Sequence, residues 1–327
     1  MQKKLAVAIL NWNGRNWLEK FLPNVVEFSQ NADIYVIDNL STDDSVPFIK
    51  EHFPTVTVIK NEQNYGFAGG YNEGLKKISN PYYCLLNSDV EVTENWIEPV
   101  LELFEKNVSV AAIQPKILSY HNKSYFEFAG AAGGLIDNLG YPYCRGRVFD
   151  DLEEDKGQYN DETEIFWASG CCLFIRSKDF WDQNGFDARF FAHQEEIDLC
   201  WRLINTGKKI FYTGKSSVYH VGGGTLNKQS AQKTFLNIRN NLSMMLKNLP
   251  FPQLIWLIFF RLCLDGIAGI YFGFKHGFLH LWAVVRAHFG FYGQLPGTWK
   301  LRQKHQKKNF YQSKWLIFRH FLGGKNK

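Results

Sequence analysis

Four short apolar segments alternate with helical patterns near the start of the chain, and this alternation restricts the fold more than any other feature. The segments are Leu5–Leu10, Asp33–Asp38, Val56–Lys60 and Tyr82–Leu86. Their apolar residues run together rather than occupying every second position, which is typical of strands covered on both faces in a parallel sheet. Repeated strand–helix units of this kind predict an α/β fold with a doubly wound, mostly parallel sheet flanked by helices.

Polar residues follow these strands where each one ends. Asn11 follows the first strand, Asp38 ends the second, and the tripeptide Asn87–Ser88–Asp89 follows the fourth. Because the carboxyl ends of parallel strands carry the binding sites of doubly wound sheets, we expect a ligand site at this edge. Asp38 could instead cap the following helix, and the glycine-rich stretch from 64 to 70 could be an ordinary turn into a helix.

Missing motifs exclude several common chemistries. No G-x-G-x-x-G follows the first strand and no G-x-x-x-x-G-K-[ST] occurs, so neither a nicotinamide dehydrogenase nor a P-loop enzyme is expected. The six cysteines include no C-x-x-C pair, which argues against a zinc ribbon or a thioredoxin motif. A carboxylate such as Asp89 beyond a buried strand instead suits Mg²⁺ or Mn²⁺ on a diphosphate, because hard cations take oxygen ligands.

Two local patterns give further structural expectations. Ser41 is followed by Asp44 three positions later, which is a helix-start signal, so a helix is predicted from there to about His52. The acidic stretch from Asp150 to Glu164 has no periodic apolar pattern and is expected to be a solvated loop.

Eight short motifs occur in a fixed order along the first 245 residues. They are Val7-Ala-Ile-Leu-Asn-Trp-Asn13, Val36-Ile-Asp-Asn-Leu-Ser-Thr-Asp43, Asn64-Tyr-Gly-Phe-Ala-Gly-Gly-Tyr-Asn72, Leu85-Leu-Asn-Ser-Asp-Val90, Ser169-Gly170, Gly185-Phe-Asp-Ala-Arg-Phe-Phe191, Glu195-Glu-Ile-Asp-Leu-Cys-Trp-Arg202 and Val218-Tyr-His-Val-Gly-Gly-Gly224. In this combination the chain resembles the family 2 glycosyltransferases of GT-A fold, particularly the bacterial rhamnosyltransferase-like branch. The resemblance implies an inverting, metal-dependent transfer of a sugar from a nucleotide-diphosphate donor.

The resemblance also assigns donor-binding roles. The family's D-x-D segment reads Asn87–Ser88–Asp89 here, so Asp89 is expected to hold the divalent metal, Mg²⁺ or Mn²⁺. His220 matches a histidine near the metal or diphosphate, although a satisfied histidine at a strand end is the simpler alternative. The residues expected to bind the nucleotide sugar are Asn11, Asn13, Asp38, Asn39, Asn64, Gly66, Phe67, Asn72, Asn87 and Ser88.

The catalytic base is expected in an acidic segment that opens a helix. The family's E-D-x-D reads Glu195–Glu196–Ile197–Asp198 here, so the base position holds Glu196 instead of an aspartate. Acidic side chains at the start of a helix also interact favourably with the helix dipole, so capping the helix is an alternative role for all three acids. Glu195 and Asp198 are candidates for structural roles, and Asp198 could pair with Arg202 four residues later.

The C-terminal region differs in composition from the rest. After Asn240 there are 13 Lys and Arg residues against one acid, whereas the first 240 residues contain 24 basic and 31 acidic residues. Two apolar stretches, 253–275 and 278–285, are interrupted by Arg261, Asp265 and His280. This pattern predicts helices that lie in a membrane interface or form a shallow re-entrant hairpin, in which Arg261 and Asp265 could pair; a helical pair packed on the catalytic core is the alternative. We therefore divide the chain into a catalytic domain, 1–245, and a helical membrane-associating region, 246–327.

The expected partners follow from both regions. They are a nucleotide-diphosphate sugar, a glycan acceptor linked to a polyprenyl lipid, and a membrane surface, with no nucleic acid. The first apolar run is too short for a signal peptide, so a location on the cytoplasmic side of the membrane is expected. The alternatives are a non-catalytic GT-A binding module, a sugar nucleotidyltransferase and a polytopic membrane protein.

Overall fold

The computed structural model describes residues 3–222 and 230–322, which form two compact units. The first unit contains the described residues up to Gly134 and those from Cys144 to Gly222. The second contains Leu135–Tyr143 and the described residues from 230 onward. Gly223 and Gly224, at the end of the last motif, lie outside the described residues. The predicted boundary at residue 245 stays a prediction.

Strands and helices alternate through the first unit, and helices make up most of the second. The strands are β1 Leu5–Asn11, β2 Ala32–Asp38, β3 Thr57–Lys60, β4 Tyr82–Asn87, β5 Val90–Val92, β6 Val110–Ser119, β7 Gly134–Ile136, β8 Pro142–Cys144, β9 Arg147–Val148, β10 Asp151–Leu152, β11 Glu162–Ile165, β12 Cys172–Arg176 and β13 Lys209–His220. The helices are α1 Arg15–Phe28, α2 Ser45–His52, α3 Gly66–Leu75, α4 Glu98–Lys106, α5 Ser177–Asp182, α6 Glu195–Asn205, α7 Ala231–Asn248, α8 Gln253–His276, α9 Phe278–Lys300 and α10 Leu316–Leu322.

One large sheet organises the first unit. Its strand order is β11-β13-β6-β12-β4-β1-β2-β3, with β5 paired to β13. The four strands predicted from the sequence form a parallel group, β4-β1-β2-β3, while β12 runs antiparallel between β4 and β6. The predicted α/β fold with helices on a mostly parallel sheet is confirmed.

Burial on both faces of β1 explains its continuous apolar sequence. Leu5, Val7 and Ile9 join a cluster with residues of α1 and α4, and they are at most 2% exposed. The opposite face carries the small side chain of Ala8, whose carbonyl accepts a hydrogen bond from the Tyr71 hydroxyl of α3 at 3.3 Å. Apolar helices therefore cover both faces, as expected of a central parallel strand.

The predicted N-cap of α2 was wrong by three residues. The helix begins at Ser45, and Asp44 occupies the N-cap position without a side-chain cap. The Ser41 hydroxyl instead accepts hydrogen bonds from the backbone N–H of Asn13 at 2.9 Å and from the side chain of Asn11 at 3.0 Å. A tertiary contact with the loop after β1 thus outweighs the local capping signal.

The expected solvated loop from 150 to 164 was also wrong in part. Its ends form β10 and β11, and β11 pairs antiparallel with β13. Salt bridges link Glu164 to Lys209 at 3.1 Å and Glu162 to Lys215 at 3.0 Å. The acids of this strand therefore face lysines of β13, a cross-strand pairing that composition alone does not indicate.

The second unit contains a helix that could cross a membrane by length and composition. Among the described residues this holds for α8 alone. The close approach of Gly269 to Val284 and of Gly273 to Leu281 shows that α8 and α9 run antiparallel. Their conformation agrees with the two predicted helical segments.

Candidate active site

The carboxyl ends of three neighbouring strands bring the predicted polar residues together. Strand β1 lies between β2 and β4, and its register places Asn11 beside Asp38, and Leu10 beside Asn87. The residues after these strands therefore share one edge of the sheet, where ligands of doubly wound folds bind.

Asn11 and Asp38 are connected to each other beneath this edge. The Asn11 side chain donates to Asp38 Oδ1 at 3.2 Å and to the Ser45 hydroxyl at 2.9 Å, and it accepts from the Gly14 N–H at 3.2 Å. Asp38 also accepts from the backbone N–H of Ser41 at 3.2 Å. Both side chains are at most 3% exposed, so in this structure they hold the loops after β1 and β2 in place.

Asn13 connects the same two loops at the surface. Its side-chain oxygen accepts hydrogen bonds from the backbone N–H groups of Thr42 at 2.7 Å and Asp43 at 3.3 Å. The residue has a positive φ of 52°, a conformation that asparagine tolerates better than most residues. Its neighbour Trp12 is 50% exposed and leaves an aromatic surface beside this loop.

A second amide network supports the start of α3. The Asn39 side chain donates to Asn64 Oδ1 at 2.9 Å and to the Gly66 carbonyl at 3.0 Å, and it accepts from Asn61 at 3.1 Å. Asn64 also accepts from the Gly66 N–H at 2.9 Å. The motif from 64 to 72 is therefore mostly the first turns of a helix, and Gly70 lets that helix approach Asn39 closely.

Gly66 joins α3 to the segment that precedes α6. The Phe191 carbonyl accepts hydrogen bonds from the N–H groups of Phe67 at 2.7 Å and Ala68 at 3.2 Å. Gly66 has a φ of +72°, and a Cβ on it would lie 2.5 Å from the Phe191 ring. Only glycine satisfies both demands at this position.

We expect Gly66→Ala to destabilise the protein by about 2–4 kcal/mol, because it combines a left-handed backbone with overlap against Phe191. Urea denaturation measures the loss. Gly207→Ala is the matched control, since Gly207 has a φ of +88° but no atom within 4 Å of the position that a Cβ would take. Its cost should be about 1–2 kcal/mol, from the backbone alone. Equal losses in the two variants would contradict the contact with Phe191.

Asn72 holds the next part of that segment. Its side chain donates to the Phe186 carbonyl at 2.8 Å and accepts from the Phe186 N–H at 2.9 Å. The Phe67 ring lies against Phe186 and Tyr71. Asn72 and Phe67 thus position the chain before α6, and their predicted contact with a ligand stays a prediction.

Asp89, which follows β4, faces His220 at the end of β13. Asp89 Oδ1 lies 3.3 Å from His220 Nε2, and Glu127 Oε2 lies 3.2 Å from His220 Nδ1. All three residues are at most 6% exposed. Asn87 Nδ2 lies 3.5 Å from the same imidazole, and Ser88 lies beside Gly14. Glu127 was not predicted, and no local motif around it marks this role.

The charges of this cluster reinforce one another. Burial opposes ionisation of Asp89, but its hydrogen bond and charge interaction with His220 lower the pKa of the carboxyl below its ordinary value. Burial alone would lower the pKa of His220, yet contacts with Cys171, Asp89 and Glu127 raise it well above its ordinary value.

With the His220 imidazole deprotonated, as metal binding requires, the donor set of this cluster fits a divalent cation. Two ligands on one ion lie about 3 Å apart, close to the Asp89–His220 separation, and metal-bound histidines commonly give their other nitrogen to a carboxylate such as Glu127. The described residues contain no group of three His, Cys, Asp or Glu side chains placed around one ion. Further ligands would therefore come from a substrate or water, as is usual for Mg²⁺.

The acidic segment opens α6 after a strained turn. His193 and Gln194 have positive φ values of 70° and 73°, which non-glycine residues adopt at a cost of about 1–3 kcal/mol each. Asp198 lies 2.8 Å from Arg202, and this pairing confirms the prediction. Arg202 also donates to the Gly185 carbonyl at 2.9 Å, so the pair fixes the segment before α6.

Glu196 has a partly buried carboxyl group with a raised pKa. Burial raises its pKa to about 7, against backbone hydrogen bonds that include one from Gly170. Burial and the charge of Glu196 raise the pKa of Glu195 well above its ordinary value. Among the described residues, no hydrogen-bond partner reaches Oε2 of either glutamate. Glu196 is the less buried of the two.

Two consecutive residues, Gly170 and Cys171, connect Glu196 with the Asp89–His220 cluster. The Gly170 N–H contacts Glu196, and the next residue, Cys171, contacts His220. The Cys171 carbonyl also accepts the Asn87 N–H at 2.9 Å. The structure therefore places Asp89, His220 and Glu196 in one region, with a buried neutral thiol between them.

Comparisons with known proteins agree with this architecture. The model of the family described as "Glycosyl transferase family 2" matches residues 6–182. The chain is 22% identical over 236 residues to N-acetylglucosaminyl-diphospho-decaprenol L-rhamnosyltransferase of Mycobacterium tuberculosis, covering 67% of this chain and 76% of that protein. It is 22% identical over 227 residues to rhamnosyltransferase WbbL of Escherichia coli, covering 65% and 82%.

A solved structure shares the fold. The crystal structure of GalNAc-T7 with UDP, GalNAc and Mn²⁺ has a TM-score of 0.60 and 18% identity, covering 76% of this chain and about half, 49%, of that one. The chain thus has the architecture of a GT-A glycosyltransferase. It belongs to glycosyl transferase family 2, which confirms the resemblance to the rhamnosyltransferase-like branch.

Proposed function

We propose that this enzyme is an inverting, divalent-metal-dependent glycosyltransferase of cell-surface polysaccharide synthesis. Its donor is a nucleoside-diphosphate deoxyhexose such as rhamnose, and its acceptor is a hydroxyl of a glycan on a polyprenyl diphosphate. The observation that carries the proposal is the arrangement of Asp89, His220 and Glu196 around Gly170–Cys171. The Mycobacterium tuberculosis relative, whose name specifies a diphospho-decaprenol acceptor, supports the lipid-linked substrate.

The chemistry follows from the protonation state of Glu196. A carboxylate with a pKa near 7 is ionised in a large fraction of molecules at neutral pH, yet it holds a proton strongly enough to take one from an acceptor hydroxyl. Transfer of this proton accompanies attack on the anomeric carbon and departure of the nucleoside diphosphate. A single base supports direct displacement with inversion.

Asp89 and His220 would hold the divalent ion, which when bound neutralises charge on the leaving diphosphate. Glu127 would fix the ring orientation of His220. Mn²⁺ in the GalNAc-T7 structure supports a divalent ion of this kind. Neither the non-catalytic module nor the nucleotidyltransferase is favoured, because the family assignment and the acidic residues both indicate sugar transfer.

We also propose that the enzyme acts on the cytoplasmic side of the membrane and contacts it through the region after 246. Support comes from the apolar helix α8 and from the basic residues that follow α9.

A panel of sugar nucleotides tests this function by thermal unfolding with Mg²⁺, Mn²⁺ or chelator. The correct donor with a divalent ion should stabilise the fold by about 2.7 kcal/mol at a hundred times its Kd, and chelator should remove the effect. dTDP-rhamnose is the first donor to test, with free rhamnose as its control. If no nucleotide sugar raises the melting temperature in a metal-dependent way, the proposed function is wrong.

A further inference from the structure

Helix α8 has its polarity reversed relative to an ordinary surface helix. The large apolar side chains of one face are exposed, including Trp256 at 74%, Phe259 at 62% and Ile267 at 65%. The charged residues near its middle, Arg261 and Asp265, are 2% and 3% exposed and point inward. A helix in water normally shows the opposite arrangement.

The exposed apolar residues form one stripe along the whole helix. They occur at positions 255, 256, 259, 267, 270, 271 and 274, which helical geometry places on one side. Cys263, exposed at the same side, continues the stripe. Twenty-four residues give it a length of about 36 Å.

The inward face of α8 is fixed to polar protein. The Arg261 guanidinium donates to the Leu139 carbonyl at 2.9 Å and stacks 3.6 Å above the Tyr141 ring. Asp265 lies 3.5 Å from Arg261. The segment carrying Leu139 and Tyr141 also contains Asp137, a buried carboxylate that accepts backbone hydrogen bonds from Leu139, Tyr141 and Leu316.

We propose that α8 lies parallel to the membrane plane, with its exposed stripe immersed in one leaflet of an anionic bilayer. This inference rests on the membrane contact in the proposed function and adds its geometry. A crossing α8 would carry Arg261 and Asp265, together with the polar 137–141 segment that Arg261 contacts, to the bilayer centre, where charged side chains are costly. A hairpin inserted tip first would bury Lys275 and His276, both exposed at the turn into α9.

The basic residues after α9 support an anionic lipid surface as the partner of the exposed stripe on α8. Lys304, Lys307 and Lys308 are exposed and follow α9, whose last residue is Lys300, without an acidic residue among them. Anionic headgroups attract such clusters, and interfacial helices immerse their apolar face about 5–10 Å deep. The outer face of α9 adds Trp282 and Phe289, 50% and 69% exposed.

Fluorophore depth measurements on the full-length protein test this orientation. Cys263 is the one exposed cysteine among the described residues, so an environment-sensitive dye can be attached there directly. Ile255→Cys and Phe274→Cys, each combined with Cys263→Ser, place the dye near the two ends of the stripe. Lys178→Cys with Cys263→Ser is the control, because the Lys178 side chain is 81% exposed on α5 of the first unit.

Vesicles of phosphatidylglycerol and phosphatidylcholine carrying quenchers at defined depths then read out the geometry. Equal, shallow quenching at 255, 263 and 274, with none at 178, is expected. A steady increase in depth from 255 to 274 would indicate tip-first insertion, and a maximum at 263 would indicate crossing; either overturns the proposal. Absence of vesicle binding would overturn the membrane contact itself, while donor-induced thermal stabilisation reports separately on the transferase function.

Removing part of the stripe supplies a second measurement. Phe259→Ser with Ile267→Ser should weaken vesicle binding at least about tenfold, because both side chains lose apolar burial in lipid. These residues are exposed, so the fold and its melting temperature in detergent-free buffer should change little. Unchanged vesicle binding in this variant would contradict immersion of the stripe.

Discussion

Replacing Glu196 with glutamine is expected to reduce kcat for sugar transfer by about 10²–10⁴-fold, the usual contribution of a general base. Glutamine keeps the shape of the side chain and can still accept the hydrogen bond from Gly170, but it cannot take a proton. Donor binding should be nearly unchanged, because the Asp89–His220 cluster is intact. Transfer assays with saturating donor measure the change, and near-normal transfer would move the base to Glu195 or Asp198.

The pH dependence provides an independent signature of the same residue. Because the base must be ionised, kcat/KM for the wild-type enzyme should rise with pH through an apparent pKa near 7. The residual activity of Glu196→Gln should lack this acidic limb. Glu51→Gln serves as the control, since the Glu51 side chain is 78% exposed, and it should keep the wild-type profile.

Stability should change in the opposite direction to activity. The pKa of Glu196 is raised from 4.5 to about 7 in the folded state, so its stabilising effect is complete below pH 4.5 and is lost as pH rises through 7. Ionisation therefore costs the wild-type protein up to about 3 kcal/mol at pH 8. Glu196→Gln stays neutral and should be more stable than wild type at pH 8 but not at pH 4. Chemical denaturation at both pH values measures this difference.

This opposition is physically reasonable for an active site. Two adjacent carboxylates, Glu195 and Glu196, follow two residues with left-handed backbone and lack partners for one oxygen each within the described residues. Such an arrangement stores unfavourable energy that the remainder of the fold must outweigh. A site selected only for stability would replace at least one of these acids.

The sequence predicts the central strands well because their burial leaves a strong local signal. Val7 and Ile9 are apolar since β1 is covered on both faces, and any chain segment in that position would need the same composition. The polar strand ends were also predictable, because parallel strands bring Asn11, Asp38 and Asn87 to one edge by topology alone.

Other features depend on contacts between distant segments and leave no local pattern. Glu127 meets His220 because its N–H donates to the Ile117 carbonyl of β6, which pairs in parallel register with β13, and a single sequence does not reveal these contacts. Ser41 has the local signature of a helix cap, yet its hydroxyl is used by the loop after β1. The buried amide of Asn11 likewise connects loops, a role that its position at a strand end could not distinguish from ligand binding.

Asp89→Asn should abolish most of the metal-dependent donor binding while preserving the fold. The change removes a negative charge from the Asp89–His220 pair but keeps a side-chain oxygen of the same size. Mutation of a residue that only hydrogen-bonds to a metal ligand typically lowers metal affinity by about 10–100-fold. Loss of a direct ligand should therefore weaken Mn²⁺ binding at least that much. Electron paramagnetic resonance titration of free Mn²⁺ measures this without any turnover.

Glu127→Gln completes the series, because it keeps Asp89 and His220 but weakens the support of the imidazole. Its Mn²⁺ affinity should fall between those of wild type and Asp89→Asn. Asp182→Asn is the control: Asp182 is half exposed and pairs with Lys178 on α5, so Mn²⁺ and donor binding should be unaffected. If Asp89→Asn binds Mn²⁺ as tightly as Asp182→Asn does, the ion is held elsewhere and the assignment of this cluster is wrong.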